Sequence, residues 1–272
     1  MIGSKLMLHQ FLKRVPEVPW KITDTWVSPV KFVNSLKWLI IRDALVHHLE
    51  SNQLIVNSKH GFRKGKSCLT NLLEFLHKVT GCVDTGDSVD VIFLDFSKAF
   101  DKVSHKRLLL KLTAHGIDGK LNNCIAKWLT NRMQTVCIRV MSDWLAVLSG
   151  VPTGLGTGPN TLIYIHDLDY GIRNWILKFA DDTKSFSRIT DNMDVVKLQE
   201  DLSKMIRWSE EWQMLFNVGK CNVMHIGNCE LQRQYYMGNQ KLEEVHQEKD
   251  LGVVISNDLK VSQQCQQAYN KA

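Results

Sequence analysis

The chain predicts a mixed fold of the α+β class, with strands and helices interleaved from end to end. Three observations carry that prediction. Residues 89–96 (VDVIFLDF) are an almost unbroken apolar, β-branched and aromatic run, the pattern of a central strand buried on both faces. Residues 175–180 and 183–187 read as two strands folded about Asp181-Asp182. Residues 191–216 place Val195, Leu198, Leu202, Met205, Trp208, Trp212 and Leu215 on one stripe at helical spacing, which reads as core packing.

The remaining elements follow in chain order. Residues 1–33, with Pro16, Pro19, Pro29, Trp20 and Trp26, predict an irregular arm. A helix is expected over 36–49, then a basic loop His60-Gly61-Phe62-Arg63-Lys64-Gly65-Lys66. Ser67 can cap the next helix, whose stripe reads Leu69, Leu72, Leu73, Leu76 and Val83. Residues 104–115 predict a helix ending at Gly116, and Leu121, Cys124, Ile125, Trp128 and Leu129 share one face of another. Residues 135–140 and 144–148 alternate like the arms of a hairpin, and the Gly-rich stretch 149–159 must be a loop. Strands are expected over 221–226 and 251–255.

Composition narrows the function classes. Of 272 residues, 44% are hydrophobic and 23% charged, the balance of a folded protein with a real core. A formal net charge of +6 suits a polyanionic partner. The seven cysteines are scattered, odd in number and without a CxxC pair, which argues against a disulfide scaffold or zinc ribbon. Cys221, His225 and Cys229 lack an evident fourth ligand and read as structural. No apolar run is long enough to span a bilayer, and the first residues lack the pattern of a signal peptide, so an intracellular protein is expected.

Two carboxylate sites stand out: Asp95 at the end of an apolar strand, and Asp181 with Asp182 at a hairpin turn. If the strands are neighbours, three acids converge. Two such charges about 4 Å apart repel by roughly 4 kcal/mol at an effective dielectric near 20, so the cluster calls for a cation. Hard oxygen donors that leave room for water and phosphate suit Mg²⁺, and a pair of ions can serve an attacking hydroxyl and a leaving pyrophosphate. Taken singly, each site could equally be a turn or cap. A rival reading takes Gly61 to Ser67 as a phosphate-binding loop and Asp95 as the acid of a nucleotide hydrolase, although only three residues separate Gly61 from Gly65 where that loop needs four.

The ordered motifs add a resemblance. His60-Gly-Phe-Arg-Lys-Gly-Lys-Ser-Cys-Leu-Thr-Asn, Asp95-Phe-Ser-Lys-Ala-Phe-Asp-Lys-Val, Ser149-Gly-Val-Pro, Phe179-Ala-Asp-Asp-Thr-Lys and Phe216-Asn-Val-Gly-Lys-Cys-Asn-Val-Met-His-Ile-Gly occur in sequence. Over residues 34–260 the chain resembles reverse transcriptases of LINE-type, non-long-terminal-repeat retrotransposons. That resemblance implies a right-hand polymerase fold: fingers over 34–88, a palm over 89–234 built on an antiparallel sheet with packed helices, and a primer-grip hairpin and partial thumb over 235–272. It implies an RNA-directed DNA polymerase that uses two Mg²⁺ ions, deoxynucleoside triphosphates, an RNA template and a DNA primer, in nucleus or cytoplasm. Asp95, Asp181 and Asp182 would be the metal ligands and catalytic acids, and Lys220 would protonate the leaving pyrophosphate. The backbone from Asp95 through Phe96 to Phe100 would hold the triphosphate, with the Phe100 ring excluding a 2′-hydroxyl. Arg63, Lys64 and Lys66 would meet template or triphosphate, and Gly154 would let both approach the backbone.

The chain also departs from the family. Thr153 stands where a glutamine is usual, Leu155-Gly156-Thr157 replaces an apolar run, and the stretch before Ile163 is one residue short. A nucleic-acid-binding remnant of the same fold without catalysis is therefore the second expectation.

Overall fold

The computed structural model describes residues 43–52, 54, 58–61, 65–130, 132–135, 137–138, 140–151, 163–228 and 230–270. The expected arm at 1–33, Arg63, Lys64, Thr153, Gly154 and Cys229 lie outside them.

The centre is a five-stranded sheet. Strand β1 (Ser88–Leu94) is buried along its whole length, as its apolar run requires. It is flanked by β7 (Asp182–Ile189) and β8 (Asn222–Ile226), both antiparallel to it. Beyond β7 lies β6 (Trp175–Phe179), and beyond β8 lies β11 (Glu243–Glu244), parallel to β8.

Each sheet face has its own core. On one face Ile92, Leu94 and Val223 pack with helices α3 (His105–Ala114), α4 (Gly119–Leu129) and α5 (Asn192–Trp212). On the other face Val89, Val91, Phe93 and Met224 pack under α2 (Cys68–Asp84). Helix α1, over residues 43–51, adds Leu45 and Leu49 to the first core. Helix α6 (Ser262–Tyr269) closes the described chain. None of the described helices is long and apolar enough to cross a membrane.

Several local expectations are corrected. Ser67 caps α2 in a reciprocal box with Thr70, as expected. The buried face of that helix, however, is Asn71, Leu72, Phe75, Val79 and Cys82, while Leu69 and Leu73 are 64% and 55% exposed. The long helix stops at Trp212, because Gln213 turns left-handed at φ 57°. Leu215 therefore leaves the stripe, and Phe216 pairs with Phe96 instead. The hairpin expected at 135–148 is made of two short ladders: β2 (Met133–Gln134) pairs with β5 (Leu145–Ala146), and β3 (Cys137–Ile138) pairs with β4 (Val140–Met141). Within 235–272, where one primer-grip hairpin is expected, two hairpins stand. One joins β9 (Tyr236–Met237) to β10 (Gln240–Lys241), and the other joins β12 (Gln247–Asp250) to β13 (Val253–Ser256).

Candidate active site

Strand register decides where the acids meet. Leu94, the last residue of β1, faces Thr183 across the β1–β7 ladder, so Asp95 leaves the sheet beside Asp182. Phe179 faces Asp182 across the β6–β7 turn, and Ala180 at φ 53° takes the left-handed conformation that closes it. Asp95, Asp181 and Asp182 thus share one end of the sheet.

Their electrostatics show the crowding. Burial of the carboxyl, then the charges of Asp181, Asp250 and Asp95, push Asp182 up to about 6, against the opposing pull of Lys184. Burial and the charge of Asp95 also raise Asp181, opposed by a backbone hydrogen bond. The carboxylates are not closed around one point: among the described residues no group of three or more His, Cys, Asp or Glu side chains forms a ready metal cage. The chemistry of the donor set still fits Mg²⁺, since it offers hard oxygens, excess negative charge and an open side for water and phosphate.

Backbone contacts fix the strand end. Asn217 donates its N–H to the carbonyl of Asp95 at 2.8 Å, and Ser97 donates to Leu215 at 2.8 Å. Phe96 turns inward and stacks on Phe216 with ring centroids 4.4 Å apart, so only its backbone is left to face the site. Lys220 sits on the short helical turn Val218–Lys220, with Nζ 3.9 Å from Oδ2 of Asp95. Asp95, Asp182, Lys220, Asn222, Glu248 and Asp250 line a groove of about 450 Å³.

The other expected residues are more dispersed. Phe100 is half-buried against the first core. Lys66 lies 3.7 Å from Glu74 on α2. No described contact joins Phe100 or Lys66 to the three acids.

Sequence reasoning missed two features. Gly150 stands where a Cβ would meet the Asp101 carbonyl at 2.8 Å and the Phe100 carbonyl at 2.9 Å, and its φ of 86° is left-handed, so this glycine seats the 149–151 turn on the segment after Asp95. The motif glycine preceding Val151 was the available signal. Lys184 forms a buried ion pair with Asp250 on β12, joining the acidic hairpin to the hairpin of β12 and β13. Cys221, read from the sequence as structural, is buried and accepts the N–H of Asp95 at 3.4 Å. His225 likewise is structural, with Nδ1 2.7 Å from the buried Asp90.

With that geometry in place, comparison with known proteins is decisive. The family model "Reverse transcriptase (RNA-dependent DNA polymerase)" matches residues 35–255. The chain belongs to this family. A probable RNA-directed DNA polymerase from transposon X-element of Drosophila melanogaster is 25% identical over 192 residues, 67% of this chain and 21% of that protein. The RNA-directed DNA polymerase from mobile element jockey of Drosophila funebris is 25% identical over 247 residues, 85% of this chain and 27% of that protein. The chain thus spans about a quarter of the length of such relatives.

Among solved structures, apo telomerase from Candida tropicalis, truncated of its C-terminal domain, superposes with a TM-score of 0.58 at 12% identity, covering 85% of this chain and 47% of that one. The fold is the right-hand polymerase fold. The nucleotide-hydrolase alternative is overturned by this family match and by the sheet, where β1 lies between two antiparallel neighbours rather than in a parallel array.

Proposed function

We propose that this reverse transcriptase core extends a DNA primer on an RNA template, with Asp95, Asp181 and Asp182 as its catalytic acids. The observation that carries the reading is the β1–β7–β6 register, which brings an acid from each of two separated motifs to one sheet end. The 3′-oxygen of the primer bonds to the α-phosphorus of a deoxynucleoside triphosphate, the bond from that phosphorus to the bridging oxygen breaks, and pyrophosphate leaves. Two Mg²⁺ ions, when bound, supply the charge that favours the attacking alkoxide and the leaving oxygens.

The residues themselves hold and orient. Asp95 and Asp181 are the principal ligands and Asp182 supports them. Lys220, next to Asp95 on the groove wall, gives a proton to the departing pyrophosphate. The backbone following Asp95 cradles the triphosphate, and Phe100 blocks a 2′-hydroxyl. Arg63, Lys64 and Lys66 meet the phosphates of template or nucleotide, and Gly154 allows close approach of both. In domain terms, residues 34–88 are fingers, 89–234 palm and 235–272 the beginning of the thumb. RNA as template is supported by the names of the transposon relatives, and by telomerase from Candida tropicalis having been solved in complex with a fragment of telomeric RNA.

Primer extension on purified protein tests the reading. An RNA template with annealed DNA primer, Mg²⁺ and deoxynucleotides is expected to yield extended primer, and ribonucleotides are expected not to. Salt-sensitive binding without any extension would instead identify a catalytically dead, nucleic-acid-binding remnant.

A further inference from the structure

The edge of the central sheet that carries the acidic turn is covered by the segment that opens the basic loop. Residues 58–61 run alongside β6, the edge strand. His60 donates its N–H to the Lys178 carbonyl and Lys178 donates to the Ser58 carbonyl, each at 2.9 Å, in a parallel bridge of Lys59 with Lys178. The segment is anchored on two further sides. Ser58 Oγ donates to Oδ2 of Asp169 at 2.5 Å, and the same carboxylate holds the buried Lys178 Nζ at 3.0 Å. The buried His60 ring places Nδ1 3.0 Å from Thr70 Oγ1 and Nε2 3.1 Å from Glu74 Oε2, both on α2.

Its far end meets the acidic turn. A Cβ on Gly61 would stand 2.6 Å from the amide nitrogen of Ala180 and 3.5 Å from the Ala180 Cα and the Phe179 carbonyl carbon. Those partners are backbone, so they cannot swing aside as a side chain would. Ala180 holds its left-handed φ of 53° one residue before Asp181, so a shift of its amide redirects both following carboxylates. A non-glycine residue in that conformation keeps it only where its surroundings impose it.

We propose that Gly61 is a positioning residue: lying against the Ala180 amide, it holds the turn that aims Asp181 and Asp182 toward Asp95, and residues 58–61 form a strut tying that turn to the basic loop. The inference rests on the reading of the three acids as a cation site, and adds a residue that touches neither substrate nor ion. A glycine serving only to open the loop after it would accept alanine without effect on the acids.

The test uses the full chain, read by amide hydrogen exchange and by binding of Mn²⁺ alone, followed by paramagnetic resonance. Gly61→Ala is expected to speed exchange over residues 178–183 while 88–94 and 222–226 stay protected, and to weaken Mn²⁺ binding about tenfold, the effect of roughly 1.4 kcal/mol. Ala180→Gly added to Gly61→Ala is expected to recover most of that affinity, because glycine accepts the left-handed turn after it moves. Simple loss of packing would show no such rescue. Should Gly61→Ala fail to fold, Ser58→Ala loosens the other end of the strut and is expected to weaken Mn²⁺ binding about threefold. Normal exchange and normal Mn²⁺ affinity in the variant that folds, with Asp181→Asn still abolishing binding, overturn the positioning role and leave the cation site standing. Wild-type Mn²⁺ binding that Asp181→Asn does not change removes the cation site itself, and the role of Gly61 falls with it.

Discussion

Lys220 and Asp95 stand together on the groove wall, Nζ to Oδ2 at 3.9 Å, although 125 positions separate them in sequence. The pairing is set by main chain, since the Asn217 N–H bonds the Asp95 carbonyl and starts the helical turn that ends in Lys220. The lysine is 69% exposed on its side chain, so the ion pair adds little to folding and leaves the ammonium available to a third group. Lys220→Ala is expected to lower the extension rate by 10²- to 10⁴-fold, the range of a lost general acid, with the melting temperature unchanged. Single-turnover extension together with thermal melting checks both halves; an unaltered rate removes Lys220 from the chemistry.

Asp182 carries like-charged neighbours on more than one side, in Asp181, Asp250 and Asp95. Asp182 is exposed, so solvent screens the repulsion, and Asp182→Asn should stabilise the cation-free protein at neutral pH by about 0.5 kcal/mol. Added Mg²⁺ should raise the melting temperature of the wild type more than that of the variant, because a ligand stabilises the state that binds it. Melting curves with chelator and with Mg²⁺ give the comparison, and a destabilised variant in chelator contradicts the crowding.

Lys184 and Asp250 form a buried pair between β7 and β12, with the ammonium 4.9 Å above the ring of Phe75. Removing one partner strands the other charge. Lys184→Met alone is expected to cost about 3–5 kcal/mol, and Lys184→Met with Asp250→Leu much less. Urea unfolding of single and double variants measures this; equal losses in both would mean the pair does not act as a unit.

Asp194, in the first turn of α5, accepts hydrogen bonds from the Thr190 hydroxyl at 2.7 Å and N–H at 3.1 Å, and binds Lys197 at 2.9 Å. Burial pushes its carboxyl up, but these bonds outweigh it and bring it down to about 2. The folded value lies below the ordinary 3.8, so the stabilisation is present above about pH 4 and is lost as pH falls through about 2. Asp194→Asn is expected to lower stability at pH 6 and to flatten its loss between pH 4 and 2. Denaturant titrations across that range would show parallel curves for both proteins if the carboxylate were not involved.

The central strand was legible because a run buried on both faces has no polar alternation to confuse it, and Asp95 is the first residue past its end, half-buried. The Asp181-Asp182 turn was legible from the strands on either side. The buried face of α2 was not, since Leu69, Leu72, Leu73, Leu76 and Val79 leave apolar residues on more than one side, and only the sheet beneath selects Phe75 and Val79. The end of α5 was hidden as well, because apolar spacing continues to Leu215 while Gln213, without being glycine, turns left-handed. The ion pairs of Lys184 with Asp250 and of Lys111 with Asp167 join residues 66 and 56 positions apart, and no local pattern announces such partners.

Under the proposed function, Asp95 and the Asp181–Asp182 turn act as one divalent-cation site. Counting bound Mn²⁺ by paramagnetic resonance on the wild type, Asp95→Asn and Asp181→Asn, each with melting temperature recorded, tests it most directly. The expected result is saturable binding by the wild type that either single substitution abolishes without unfolding the chain. Binding that survives both substitutions, or that one removes and the other leaves untouched, contradicts the shared site.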